Sequence, residues 1–146
     1  MGGLYIPFIC RDQFYYMMIK RQWRYITLKV DTEDHGSVSI ERCGLRDESH
    51  EDFLSHVPKD EPRWILFDFE WEAKEYGQVA TKSKVILIVY SPDSCTDNKS
   101  KTIITFKKDL LLKKITEKTI INKNLQEYKS NKHSDLEFNA IKLKLK

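Results

Sequence analysis

The side chains best able to do recognition chemistry are concentrated in the last third of the chain. Lys99 to Lys146 holds 13 basic residues, all lysine, and 5 acidic ones, a balance of +8, while Met1 to Asn98 holds 12 basic and 17 acidic, a balance of −5. The formal +3 of the whole chain therefore hides a strong asymmetry. An acidic body with a basic final third points to an acidic partner, whether protein, nucleic acid or lipid head group. Lys99 to Lys118 has no interleaved aromatic beyond Phe106, which weighs against nucleic acid. A second basic group, Lys20, Arg21 and Arg24, reads either as a solvated helix end or as a patch for phosphoinositides or nuclear import.

Catalytic chemistry has few candidates. The five glycines, Gly2, Gly3, Gly36, Gly44 and Gly77, cannot assemble a dinucleotide-binding turn or a phosphate-cradling loop. His35, His50, His56 and His133 are scattered, and in His50-Glu51-Asp52-Phe53-Leu54 a leucine stands where a zinc hydrolase needs its second histidine. Asp68 and Glu70, two apart on a predicted strand, share a face as a glycosidase pair would, but exposed strand carboxylates more often solvate or pair with a cation. Trp64, Phe67, Phe69 and Trp71 suggest core packing more than a base-stacking platform. No enzyme activity, cofactor or metal is expected.

The elements that must carry these groups follow from periodicity. Asp12 to Arg21 spaces Phe14, Met17, Met18 and Arg21 as a short amphipathic helix. Trp23–Val30 and Ser37–Cys43 alternate about the turn 31–36, predicting a hairpin with one apolar face. Ser49 caps a short helix that Pro58 stops after Val57. Trp64–Trp71 and Lys84–Tyr90 read as central strands, the stretch Glu72 to Ser83 between them as an exposed hairpin loop. Thr102 to Ile115 sets Ile103, Ile104, Leu110, Leu111 and Ile115 on one face, predicting the longest and most basic helix. Ile120 and Ile121 suggest a short edge strand, and Asp135 to Leu145 a closing helix.

Length and composition fit one domain over residues 1–146, with 1–10 expected as a flexible N-terminal segment. The longest apolar runs, such as Val85 to Tyr90, are strand-length, far below the ~20 residues of a membrane span. Gly2 to Ile9 lacks a basic leader and a small-residue cleavage site, so it is not read as a signal peptide, and Ile6 breaks the myristoylation pattern. Cys10, Cys43 and Cys95 are odd in number and widely spaced, as expected of reduced thiols in the cytosol or nucleus.

Several ordered stretches resemble one family. Arg63-Trp64-Ile65-Leu66-Phe67-Asp68-Phe69-Glu70, then Lys82-Ser83-Lys84, then Tyr90-Ser91-Pro92-Asp93-Ser94, and finally Lys99-Ser100-Lys101 are similar, in register, to motifs of the actin-depolymerising factor/cofilin family. Phe14 to Arg24 resembles its first helix, and His50 to Leu54 with Val57-Pro58 its acidic-Phe helix. Periodicity alone gives α+β or α/β. The resemblance implies the α+β sandwich of that family: a central mixed sheet of five or six strands flanked by helices on both faces, with the long helix after Lys101 exposed at one edge.

The resemblance also implies a function and its residues. The chain would bind monomeric and filamentous actin, sever filaments and promote depolymerisation, acting as a cytoplasmic, cytoskeletal and in part nuclear monomer. Lys99, Ser100, Lys101, Thr102, Lys107, Lys108 and Lys113 correspond to the contact used with monomer and filament, and Lys82, Lys84 and Lys144 to the filament-only contact. Phosphoinositides are the second implied partner; DNA and RNA are not expected. The pattern departs from the family where Thr102 replaces an apolar Met, Ile104 a Tyr, and Phe106-Lys107 a Ser-Ser pair, and where Gly2-Gly3-Leu4 lacks the usual phosphorylatable Ser. Those departures open the alternative of a divergent homology domain with weak or no depolymerising activity that binds another partner or phosphoinositides.

Overall fold

Two apolar clusters, one on each face of a five-stranded sheet, organise the computed structural model, which describes residues 3–33, 36–119 and 125–145, with backbone only at 118 and 119. In chain order the elements are α1 (Phe8–Met18), β1 (Tyr25–Asp31), β2 (Ser37–Gly44), α2 (His50–His56), β3 (Arg63–Glu75), β4 (Gln78–Tyr90), α3 (Asn98–Phe106), α4 (Lys108–Thr119), β5 (Gln126–Ser130), a 3-10 turn (His133–Leu136) and α5 (Phe138–Leu145). The sheet order is β2-β1-β3-β4-β5, antiparallel except for the parallel β4–β5 pair. The expected α+β architecture, a mixed sheet with helices on both faces, is the one observed.

Alternation along each strand assigns the faces. Ile26, Leu28, Trp64, Leu66, Leu87 and Val89 meet α1, α3 and α4 through Phe14, Met17, Ile104, Leu111 and Ile115. Tyr25, Ile65, Phe67, Phe69, Ile86 and Ile88 meet α2 and α5 through Phe53, Val57, Leu136 and Ile141. Strand β1 is therefore buried on both faces over Tyr25 to Leu28, where the sequence suggested one apolar face. At Gly44, paired with Tyr25, an added Cβ would lie 2.1 Å from the Tyr25 ring, so the ring excludes any side chain there.

Several boundaries differ from the sequence reading, each for a local reason. Helix α1 starts at Phe8, directly after Pro7, instead of at Asp12, and it ends before Arg21, whose φ of 53° is outside the helical range. The expected flexible segment 1–10 is packed down in its described part: Tyr5 bridges Ser37, Ile6 is 2% exposed and Cys10 1%. Glu72 to Ser83 is no loop, since β3 and β4 pair down to Glu75 and Gln78 about the two-residue turn Tyr76-Gly77. Both turn residues have positive φ, 52° and 78°, the combination that matches the twist of a tight hairpin. This projecting hairpin is polar because it extends beyond the helices that cover the rest of the sheet.

The predicted long helix begins earlier, at Asn98, and is broken at Lys107 into α3 and α4. It lies across the sheet face over Trp64 and Leu66, where an edge position was expected, and Leu110 is 40% exposed. Strand β5 has little sequence signal, because in Gln126-Glu127-Tyr128-Lys129-Ser130 only Tyr128 and Ser130 are buried. The predicted closing helix is divided at Glu137 into the 3-10 turn and α5. The expected strand at Ile120 and Ile121 falls outside the described residues.

Candidate functional site

Helix α3 begins on a well-formed cap. Asp97 Oδ1 accepts from the backbone N–H of Lys99 (3.2 Å) and Ser100 (3.3 Å), and Ser100 Oγ donates to Asp97 Oδ2 at 2.7 Å. These bonds hold the Asp97 carboxyl below its usual range. A cap of this kind is worth about 1 kcal/mol and sets the direction of the first turn. Trp64 Nε1 donates to Ile104 O at 2.9 Å from inside the core, which locks the rotation of α3. Ile104 is consequently 0% exposed and unavailable as a surface anchor.

The outward face of α3 then presents Lys99, Thr102 and Phe106 at i, i+3 and i+7, with Lys101 half-buried beside them. Phe106 is 77% exposed, a large apolar group in the middle of a cationic surface. Thr102 Oγ1 donates back to Asn98 O at 2.7 Å. Lys107, at the helix break, donates from Nζ to Gly3 O at 3.1 Å and so fastens the N-terminal segment to the junction of α3 and α4. Lys108 is 20% exposed and paired with Glu127 at 2.6 Å. Lys113 is exposed on α4. Among the described residues, Lys99, Lys101 and Lys113 have no ion pair, so of the lysines expected in this set these three are open to an incoming carboxylate, while Lys107 and Lys108 also hold the fold together.

The second predicted set lies on the other face of the sheet. Lys84 pairs across the ladder with Phe69 and Lys82 with Trp71, placing both ammonium groups on the face covered by α2 and α5. Lys84 is exposed, while Lys82 is ion-paired with Glu75. Lys144, exposed on α5, holds its Nζ 5.2 Å from the centre of the Tyr128 ring. The two sets approach each other around the β5 edge, at a groove of about 560 Å³ lined by Thr105, Phe106, Lys108, Lys129, Asp135 and Lys144, among others. Phe106 and Lys129 were not among the residues expected at a site. The signal that finds Phe106 is its helical spacing from Lys99, visible only once the start of α3 is known.

In the Lys20, Arg21 and Arg24 group, Lys20 and Arg21 are exposed and Arg24 is half-buried, and both arginines also make internal contacts. Arg21 donates to Asp68 Oδ2 through Nε (3.1 Å) and Nη2 (2.6 Å), and Arg46 reaches the same oxygen at 2.9 Å while also bonding Glu70 at 2.8 Å. Arg24 donates to the Glu48 carbonyl and lies over the Phe67 ring. Lys20 is exposed. The same network corrects the reading of Asp68 as an exposed strand carboxylate: it is 0% exposed and neutralised by two guanidinium groups. Trp64, Phe67 and Phe69 are likewise 0% exposed, hence core. Among the described residues no group of three or more His, Cys, Asp or Glu is placed to hold a metal ion, and no helix is long and apolar enough to cross a membrane.

Comparison with known proteins agrees with this architecture. The family model for cofilin/tropomyosin-type actin-binding proteins matches residues 7–146. Actin-depolymerizing factor 8 of Arabidopsis thaliana is 34% identical over 93 residues, 64% of this chain and 64% of that protein, so the match spans less than two thirds of the relative's length. Actophorin of Acanthamoeba castellanii is 31% identical over 115 residues, 79% of each chain. The crystal structure of Streptomyces griseoflavus cofilin superposes with a TM-score of 0.78 at 19% identity, covering 99% of this chain and 100% of that one, a likeness of fold. With a fold of this kind, ordered motifs from Arg63 to Lys101 and a family match over nearly its whole length, the chain belongs to the cofilin/tropomyosin-type actin-binding protein family.

Proposed function

We propose that the chain binds actin monomers and filaments and promotes filament severing and depolymerisation, acting as one monomeric domain over residues 1–146 at the cytoplasmic cytoskeleton. The observation that carries this reading is the outward face of α3, where Lys99 and Lys101 have no ion pair among the described residues, on a helix whose cap and Trp64 bond fix its orientation. Exposed ion pairs contribute only about 0–1 kcal/mol each, so affinity also needs a desolvated apolar anchor. Phe106 supplies one on the same face. Ser100, Thr102, Lys107, Lys108 and Lys113 complete the contact made with monomer and filament. Lys82, Lys84 and Lys144, on the opposite sheet face, form the filament-only contact, so that one molecule bridges two actin subunits and its binding energy acts on filament geometry. No bond is broken in this process, and no catalytic group is invoked.

Filament co-sedimentation tests the proposal. The protein is expected to pellet with filaments and to raise the soluble actin fraction; if it does neither, the depolymerising function is lost. A second reading is favoured by Phe106 in place of a small serine: the bulky ring keeps the helix from close approach to actin, leaving a divergent domain that binds a different partner or phosphoinositides through the lysines of the β5-edge groove. Lys20, Arg21 and Arg24 form the patch for phosphoinositides or nuclear import, with Arg21 and Arg24 also making internal contacts.

A further inference from the structure

Of the three tryptophans, two have satisfied indoles: Trp23 Nε1 donates to Gln13 Oε1 at 2.6 Å and Trp64 Nε1 to Ile104 O at 2.9 Å. Trp71 Nε1 has no hydrogen-bond partner among the described residues. Its ring packs on Phe69, with centroids 5.7 Å apart, at the rim of the cluster under α2 and α5. Along β3, Phe69 is fully buried, Trp71 half-buried and Glu75 exposed, so the helical cover ends at the indole. The ladder sets Lys82 opposite Trp71 and Lys84 opposite Phe69, on the same face of the sheet. The Lys82 ammonium is drawn toward the hairpin tip by its ion pair with Glu75, across the small Ala73–Ala80 pair, and among the described residues no cation lies over the indole. Lys84 is exposed and has no ion pair among the described residues.

We propose that Trp71 is the apolar anchor of the filament-only contact, a role that rests on the filament-binding reading above: its indole packs against the second actin subunit and its Nε1–H donates to a carboxylate or carbonyl oxygen there. Lys82 and Lys84 make this face of the hairpin cationic, with Glu75 as its one acid, so the surface it fits is acidic. Exposed lysines alone contribute little, because each ion pair they form stays in water. Covering the ring removes its remaining apolar surface from water, gives the free N–H an acceptor and dries the surroundings of the Lys84 ammonium. Tryptophan is among the residue types that most often dominate an interface when truncated. The opposite face of the hairpin has no equivalent, since there Glu70, Glu72 and Lys74 stand across from Ser83, Thr81 and Val79.

Filament co-sedimentation and monomer binding are measured on the full chain for the parent, Trp71→Ala, Trp71→Phe and Val79→Ser, the last at an exposed position on the opposite face of the hairpin. Trp71→Ala is expected to raise the filament dissociation constant roughly tenfold or more and to change the monomer constant less than about twofold. Trp71→Phe keeps an aromatic ring on Phe69 but removes the donor, so it tests the contact even where alanine loosens the rim of the core; it is expected to raise the filament constant about fivefold, the worth of one hydrogen bond. Val79→Ser leaves both constants unchanged. A parent that binds monomers but does not pellet with filaments overturns the filament reading and the anchor with it. A parent that pellets, with filament binding unaltered in both Trp71 variants, overturns the anchor alone. Equal losses for monomer and filament in both Trp71 variants, or a loss from Val79→Ser as large as that from Trp71→Ala, would also overturn it.

Discussion

Replacing Phe106 by alanine separates the two readings of the α3 face, because they predict opposite signs. The ring is 77% exposed in the free protein, so its removal costs little folding stability. Full burial of a phenylalanine side chain contributes about 1.5–3 kcal/mol. If actin covers the exposed 77%, the loss on truncation is about 1.2–2.3 kcal/mol. At about 1.4 kcal/mol per decade this is a roughly 7- to 45-fold rise in the dissociation constant. The assay is titration of filaments by co-sedimentation, with monomer binding measured in parallel and thermal melting to verify an unchanged fold. Unchanged or tighter binding by Phe106→Ala would refute the anchor argument and favour the reading in which the ring obstructs close approach.

Lys99→Ala with Lys101→Ala is expected to weaken actin binding several-fold more than Lys129→Ala with Lys132→Ala; equal losses in the same pelleting assay would mean non-specific charge attraction. Stability should fall on acidification through His50. Its Nε2 donates to Leu136 O at 2.7 Å, Nδ1 is buried without a partner among the described residues, and the ring is packed among Phe53, Phe67, Phe69 and Phe138. Burial is the main cause lowering its pKa below the ordinary 6.5; Arg24 lowers it further, and the Leu136 bond and Glu137 oppose the shift. With a depressed folded-state pKa the unfolded chain binds more protons, so the contribution is complete above about 6.5 and declines below it until the folded-state pKa is passed. Thermal melts between pH 7.5 and 5.5 should show a smaller pH dependence for His50→Gln than for the parent; identical dependence counts against the assignment. Gly44→Ala forces a Cβ to within 2.1 Å of the Tyr25 ring and is expected to cost about 3 kcal/mol or more, read as a fall in the urea midpoint, whereas a near-neutral effect would show that the ring moves freely.

The elements easiest to read from sequence were those whose pattern is local. Ser49 and Asp52 form the reciprocal cap of α2, and Pro58 follows its end, as side-chain chemistry within a few residues dictates. The central halves of β3 and β4 are legible because strands covered on both faces are continuous in apolar residues. The distal halves were not, since there the ladder continues into solvent and only the paired positive φ angles at Tyr76 and Gly77 reveal the turn. Strand β5 carries no sequence pattern because an edge strand needs one inward row, and Tyr128 and Ser130 are too few to make one. At the site, Lys99 and Lys101 were recognisable by motif, but the burial of Ile104, the exposure of Phe106 and the internal pairing of Lys108, Arg21 and Arg24 depend on partners 19 to 47 residues away in the chain.

By itself the sequence determined the composition of the two apolar faces, the basic last third and the ordered motifs that identify the family. Those features are written in residue type and spacing, which local sterics and hydrophobicity act on directly. Tertiary structure decided which charges are free. Asp68 looks like a surface ion until the fold buries it and brings Arg21 and Arg46, both still partly exposed, onto its carboxylate. The same folding leaves Lys99 and Lys101 without an ion pair among the described residues, beside an exposed phenylalanine. Charge is a property of a residue, but its availability to a partner depends on what the fold has placed within a few ångströms of it.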